Sequence, residues 1–237
     1  MTDQILQAAL AWYDAGCCVI PTADDGKKRP AWEWKKLQQD RPSRDMTQGW
    51  FSSFSRDGLG VICGQASGNL EMLELEGEAT KSTDFDAIIW ECQARGIDWL
   101  WDLITQDGYA EWTPSGGLHF LYRVDGQPVP GNTKIAQRLP TAEELETSPH
   151  LTWKTLSETR GEGGFVVVAP SGGKVHPTGQ SWTVAAGTIG KIPTISWDDR
   201  CLLTDAIRAA LHTLPEKPAF TIPTDRKSTR LNSSHER

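Results

Sequence analysis

The sequence predicts an α+β fold in which a mixed, largely antiparallel sheet is flanked by helices, and three features predict it. Apolar runs of strand length come in pairs around short turns, at residues 59–76 and 109–124. Helical segments interrupt these pairs and do not alternate with them one for one, which disfavours a doubly wound parallel sheet. The 237 residues are 38% hydrophobic and 23% charged, enough apolar material for one good core in an ordinary globular chain.

Taken in order, residues 3–16, DQILQAALAWYDAG, set Ile5, Ala9 and Trp12 beside Leu6, Leu10 and Tyr13 at helical spacing, and Gly16 stops the run. CCVIP reads as a short buried strand, followed by the polar loop DDGKKRPAWEW with Lys27, Lys28 and Arg29. A helix is expected around Met46 to Phe54. The strand LGVICG, a Ser67-Gly68-Asn69 turn and the strand LEMLELE then read as a hairpin. Residues 82–105 read as a helix capped by Ser82 or Thr83, a break at Gly96 and a second helix. YAEWTP and LHFLYRV form a second hairpin about Ser115-Gly116-Gly117. A polar connection with one short helix, TAEELE, leads to two β-rich runs that flank RGEGG. SWTV is a short strand, and Ser196 with Asp199 resembles a capping box that opens a helix through Leu214.

Residues 1–190 are expected to form the main domain, 191–216 a C-terminal helix packing on it or leaving it, and 217–224 a Pro-rich linker. Residues 225–237, DRKSTRLNSSHER, have no apolar periodicity and resemble a translated sequencing adapter, so they are set aside as a non-native tail. No apolar stretch approaches the roughly 18 residues of a membrane span, and no basic and apolar leader opens the chain, so a cytoplasmic protein is expected. The net charge of −7 argues against a globally basic surface for gripping nucleic acid, but is compatible with acidic metal ligands beside a local basic groove. The five cysteines, Cys17, Cys18, Cys63, Cys92 and Cys201, contain no CxxC pair and read as core thiols, not a disulfide frame or zinc site. Most of the eleven tryptophans are expected in the core or at its edge, while Trp32, Trp34 and Trp50 could stack bases beside the lysine loop.

Glu74 and Glu76 stand two apart on a strand and so share a face, where they repel unless that face meets water or a cation. Carboxylate oxygens suit Mg²⁺ or Mn²⁺, which also bridge phosphates. From spacing alone a half-exposed acidic strand, with Glu71 and Glu78 near by, is the simpler account of them. Glu158, in SETRGEGG, is the candidate third acid; Arg160 offers a planar fork to phosphate, and Gly161, Gly163 and Gly164 permit close backbone approach. Ser115 at the mouth of the second hairpin and His119 on its return strand could together hold a phosphate or sugar, or His119 could be a hydrogen-bonded structural group.

Four segments resemble the bifunctional DNA primase/polymerase domain of the archaeo-eukaryotic primase superfamily, as found in phages and plasmids. They are GCCVIP with KKRPAWEW, GVICGQASGNLEMLELE, TPSGGLHFLY and SETRGEGGFVVVAPSG, in the family's order and spacing over roughly residues 5–185. The resemblance implies a primase-like, RRM-like sheet and template-dependent nucleotidyl transfer on single-stranded DNA in phage or plasmid replication. It implies that Glu74, Glu76 and Glu158 bind two divalent ions, Mg²⁺ or Mn²⁺. Ser115, Gly116, Gly117, His119, Arg160 and Lys28 would hold the NTP or dNTP. A fused or separate helicase is an implied partner, and the host cytoplasm the implied location. The family usually carries aspartate at the three acid positions, where this chain has glutamate throughout. That departure keeps a second reading in view, a catalytically silent primase-like module that binds DNA or a replisome partner.

Overall fold

The computed structural model describes residues 2–53 and 56–213. The expected helix end at Phe54, the helix end at Leu214, the linker 217–224 and the tail 225–237 lie outside the described residues. The elements run α1 (Thr2–Asp14), β1 (Cys18–Pro21), α2 (Arg44–Ser53), β2 (Leu59–Ile62), β3 (Leu70–Leu75), α3 (Ser82–Ala94), α4 (Asp98–Asp102), β4 (Tyr109–Trp112), β5 (Leu118–Asp125) and β6 (Thr133–Arg138). They continue as α5 (Ala142–Thr147), β7 (Lys154–Arg160), β8 (Phe165–Val168), β9 (Thr183–Ala186), β10 (Thr194–Ser196) and α6 (Trp197–Leu211). Antiparallel pairing dominates, and among the described residues β10 alone adds a parallel contact, to the end of β5. The α+β class therefore holds.

The strands divide into a three-stranded sheet, β1-β2-β8, and a seven-stranded sheet whose path is β6-β7-β3-β5-β4-β9 with β10 beside β5. One face of the large sheet packs Leu73, Leu75, Phe120 and Tyr122 against α3, α4 and α6. The other packs Leu70, Met72 and Leu121 against Leu59, Val61, Val166 and Trp12 of the small sheet and α1. Both β3 and β5 thus alternate between two cores, which is why they read as nearly continuous apolar runs.

This division corrects the first expected hairpin. β2 and β3 belong to different sheets that pack face to face, and the backbone between them closes with one isolated bridge, Gly64 to Leu70. Side chains in the turn explain the parting. The buried Ser67 hydroxyl donates to Ile62 O at 2.5 Å and accepts from Cys18 N at 2.8 Å, stitching one half of the turn to the small sheet. Asn69, at φ +61°, donates to Val124 O and Gln127 O and accepts from Val129 N, stitching the other half to the large one. The runs around RGEGG part in the same way, with β7 paired to β3 and β6, and β8 to β2. The two crossovers touch, since Glu162 accepts the Gln65 backbone N–H at 2.8 Å.

The β4-β5 hairpin forms as expected, with Trp112 opposite Leu118 and Tyr109 opposite Leu121. The capping boxes at Thr141 and Ser196 are both present. At the start of α3, Lys81 holds the cap position and no side chain caps it; Ser82 is already helical, and Asp84 in the first turn faces the positive end of the helix dipole. β6 lies in the connection expected to be irregular. It is a polar edge strand with register shifts on either side of Ala136, so no two-residue alternation marks it. Four cysteines are buried, Cys201 is half-buried and all five thiols are free. Trp12, Trp101 and Trp182 are buried, whereas Trp90, Trp99, Trp112 and Trp153 are exposed. Among the described residues no helix is long and apolar enough to cross a membrane.

Candidate active site

Five strands contribute one residue each to a single row across the large sheet. Register sets Lys134 opposite Glu158, Glu158 opposite Glu74, Glu74 opposite His119, and His119 opposite Glu111. Directly opposed residues share a face. The row therefore lies on the same face as Met72 and Leu121, the one turned toward the small sheet.

Charge along this row is closely matched. Glu111 is fully buried and accepts three hydrogen bonds: from Tyr109 Oη at 2.7 Å, from Ala169 N at 2.8 Å, and from His119 Nδ1 at 2.9 Å. His119 Nε2 then lies 3.6 Å from Glu74 Oε1. Burial opposes a charged imidazole here, but the hydrogen bonds and charges of Glu111 and Glu74 outweigh it and raise the His119 pKa to about 9. Burial likewise opposes the Glu74 carboxylate, and His119, backed by Arg160 and Lys28, overcomes it and holds the pKa down to about 2. Glu158 is buried with one carboxylate oxygen on Lys134 and the other 2.5 Å from Arg160 Nη2. Glu76 follows directly on β3 and is half-buried; burial first, then Glu74 and Glu158, push its pKa up.

A cavity of about 320 Å³ opens between the two sheets over this row. Met72, Glu74, His119 and Arg160 line it from the large sheet, with Glu76 just beyond β3, and Phe165 and Val167 face it from β8. Lys27 and Lys28 from the loop after β1, Ser115 from the β4-β5 turn, and His176 and Trp182 from the segment after β8 also line it. Six of the residues expected from the sequence, Glu74, Glu76, Ser115, His119, Arg160 and Lys28, thus meet around one cavity. Glu158 is adjacent but turned to its two cations. Gly116 and Gly117 lie outside the lining and shape the turn that carries Ser115. Gly116 takes φ +82°, and a Cβ on Gly117 would stand 2.7 Å from Leu75 O.

The family model for the N-terminal domain of bifunctional DNA primase/polymerases, Prim-Pol, matches residues 9–197. The chain belongs to the Prim-Pol family. No curated protein matches it. The matched span begins inside α1, ends at the first residue of α6 and contains every residue that lines the cavity. A Prim-Pol domain implies primase-polymerase chemistry, with a DNA template and nucleotides as substrates.

Three residues of this row and cavity in the Prim-Pol domain are not evident from the sequence. Glu111 reads as one polar position in a strand, although counting outward from the Ser115-Gly116-Gly117 turn places it opposite His119. Lys134 sits on the unrecognised edge strand. His176 has no ligand spacing to other histidines, yet its Nε2 lies 3.2 Å from Ser115 Oγ. The glycines of RGEGG also have a local role: a Cβ on Gly161 would fall 2.0 Å from Pro130 O, so that glycine admits a neighbouring loop. Trp32 stacks edge-on to Trp50 at 5.5 Å and Trp34 tilts over Phe165 at 6.0 Å, forming a half-buried cover over the small sheet.

Proposed function

We propose that this Prim-Pol domain performs template-dependent nucleotidyl transfer on single-stranded DNA, as a primase and polymerase serving phage or plasmid replication. The observation that carries the reading is the cavity itself. Carboxylates at Glu74 and Glu76 and cations at Lys27, Lys28 and Arg160 line one pocket between the sheets. A triphosphate needs both signs: cations for its oxygens, and carboxylates for the divalent ion that accompanies it.

The donor set fits a hard divalent ion at Glu74 and Glu76. Both are carboxylates on the cavity wall, and Glu76, pushed up first by burial and then by Glu74 and Glu158, sits among negative charge that a cation would relieve. Among the described residues no group of three acids, histidines or cysteines gathers at metal-holding distance. Mg²⁺ commonly takes only one or two protein carboxylates and completes its shell with water and phosphate oxygens. Mg²⁺ or Mn²⁺ bound there would acidify the attacking 3′-hydroxyl and neutralise the leaving pyrophosphate. Glu158, buried beside them and held by Lys134 and Arg160, would be the third carboxylate available to divalent ions if Arg160 turned from it to a phosphate oxygen. His119, fixed by Glu111, faces the same space and would orient the triphosphate together with Ser115 and Lys28, which also line the cavity. Catalysis is positioning and charge neutralisation, without a covalent enzyme intermediate.

The test pairs two readouts, labelled nucleotide incorporation on a single-stranded template and template binding by anisotropy, for wild type and Glu74→Ala/Glu76→Ala. Metal-dependent product that disappears in the variant while template binding persists supports the enzyme. Template binding with no product from wild type in either metal, with or without a primer, supports the silent binding module.

A further inference from the structure

His176 lies outside the segments that carry the family resemblance, yet it is only 8% exposed and lines the cavity beside Ser115. Its ring is fixed from both ends. Nδ1 lies 3.2 Å from the Thr178 backbone nitrogen and 2.8 Å from the Thr178 hydroxyl. A backbone N–H can only donate, so Nδ1 must present its lone pair. The imidazole is therefore neutral with its hydrogen on Nε2. Burial, and after it the charge of Lys28, push the His176 pKa down and favour the same neutral ring. Trp182 packs edge-on against the ring with centroids 5.6 Å apart, which restrains its rotation.

With that tautomer, Nε2–H donates to Ser115 Oγ at 3.2 Å. A hydroxyl that has accepted keeps its own hydrogen to donate elsewhere. Among the described residues Ser115 Oγ has no other protein partner, and the space it borders is lined by Lys27, Lys28 and Arg160. We propose that His176 is a positioning residue that makes the Ser115 hydroxyl a directed donor to a phosphate oxygen of the incoming nucleotide. The inference rests on the reading of the cavity as a nucleotide site and adds to it the residue that orients one of its donors. Thr178, His176 and Ser115 then form a chain of three hydrogen bonds of fixed sense, from backbone to hydroxyl to phosphate.

The experiment measures dNTP affinity, by isothermal titration with Mg²⁺, for wild type, Ser115→Ala, His176→Leu, the double variant and His176→Gln, with Arg160→Ala as a control for the cavity. One hydrogen bond to a charged oxygen corresponds to about tenfold in affinity, so Ser115→Ala and His176→Leu should each weaken binding about tenfold. The double variant should be no weaker than either single, because the pair acts as one donor. His176→Gln, whose amide can accept from Thr178 and donate to Ser115, should stay within about threefold of wild type. If Ser115→Ala weakens binding but His176→Leu does not, or if the two effects add, the positioning role is overturned while the nucleotide site stands. Unchanged affinity in both Ser115→Ala and Arg160→Ala removes the nucleotide site, and the positioning role with it. Long-range ¹H–¹⁵N NMR of the wild-type imidazoles tests the same point without substitution: the Nε2–H tautomer of His176 at neutral pH is required, and the Nδ1–H tautomer or the imidazolium overturns the proposal.

Discussion

Arg200→Met should destabilise this domain by about 4 kcal/mol, through a carboxylate that lies outside the cavity. Glu71 alternates with Glu74 along β3 and faces the helical core, where Arg200 of α6 meets it with two hydrogen bonds of 2.7 and 2.8 Å. Tyr122 Oη adds a third at 3.0 Å. Side-chain exposure is 0% for Glu71 and 8% for Arg200, so water screens little of the interaction. Removing one partner of a buried pair costs about 3–5 kcal/mol, because the remaining charge keeps its desolvation penalty without its compensation. Two charge-assisted hydrogen bonds at roughly 1.5–3 kcal/mol each give about 3–6 kcal/mol, which overlaps that range. Against a typical stability of about 5–15 kcal/mol the loss is severe. Urea unfolding followed by tryptophan fluorescence and circular dichroism measures it. Arg200→Met/Glu71→Leu should recover more than half of the loss, since no unpaired charge remains and only the Tyr122 hydroxyl loses a partner. A loss below about 1 kcal/mol, or a double variant equal to the sum of the singles, would refute this account of the pair.

Glu111→Gln should lower stability by about 1–3 kcal/mol, because an amide cannot accept all three hydrogen bonds that the buried carboxylate accepts. The raised His119 pKa makes its contribution complete below the unfolded value of about 6.5 and lost as pH rises through about 9, so wild-type stability should fall over that window, and less so in Glu111→Gln. Burial, Glu74 and Glu158 raise Glu76, so Mn²⁺ affinity measured by electron paramagnetic resonance should fall more steeply on acidification in wild type than in Glu76→Gln. Burial lifts the Cys17 thiol to about 11 and the Cys18 thiol to about 12, and Cys63 and Cys92 are also buried. A thiol reagent should therefore find at most Cys201 in the native protein and all five cysteines in urea.

Most elements were legible because local chemistry announces them. Helical spacing marked α1, Ser196 and Asp199 marked α6, and the Ser115-Gly116-Gly117 turn marked the β4-β5 hairpin. What local pattern cannot convey is which sheet a strand joins. β2 and β3 look like a hairpin from their spacing and turn residues, and the decision to part them rests on Ser67 and Asn69 bonding to chain 49 to 60 residues away. The shared face of Glu74 and Glu76 and the placement of His119 followed from strand alternation. Glu71 looked like part of the same acidic surface, because its partner Arg200 is 129 residues distant and invisible to any local reading. His176 was hidden for the same reason, lying 61 residues from Ser115.

Whether Glu74 and Glu76 hold the cation used in nucleotidyl transfer is decided by the rate of template-directed dNTP incorporation as a function of Mn²⁺ concentration. Wild type should show saturable, strictly metal-dependent incorporation, and Glu74→Gln and Glu76→Gln should each raise the half-saturating Mn²⁺ concentration by roughly tenfold or more. The same metal dependence in all three proteins would contradict that role.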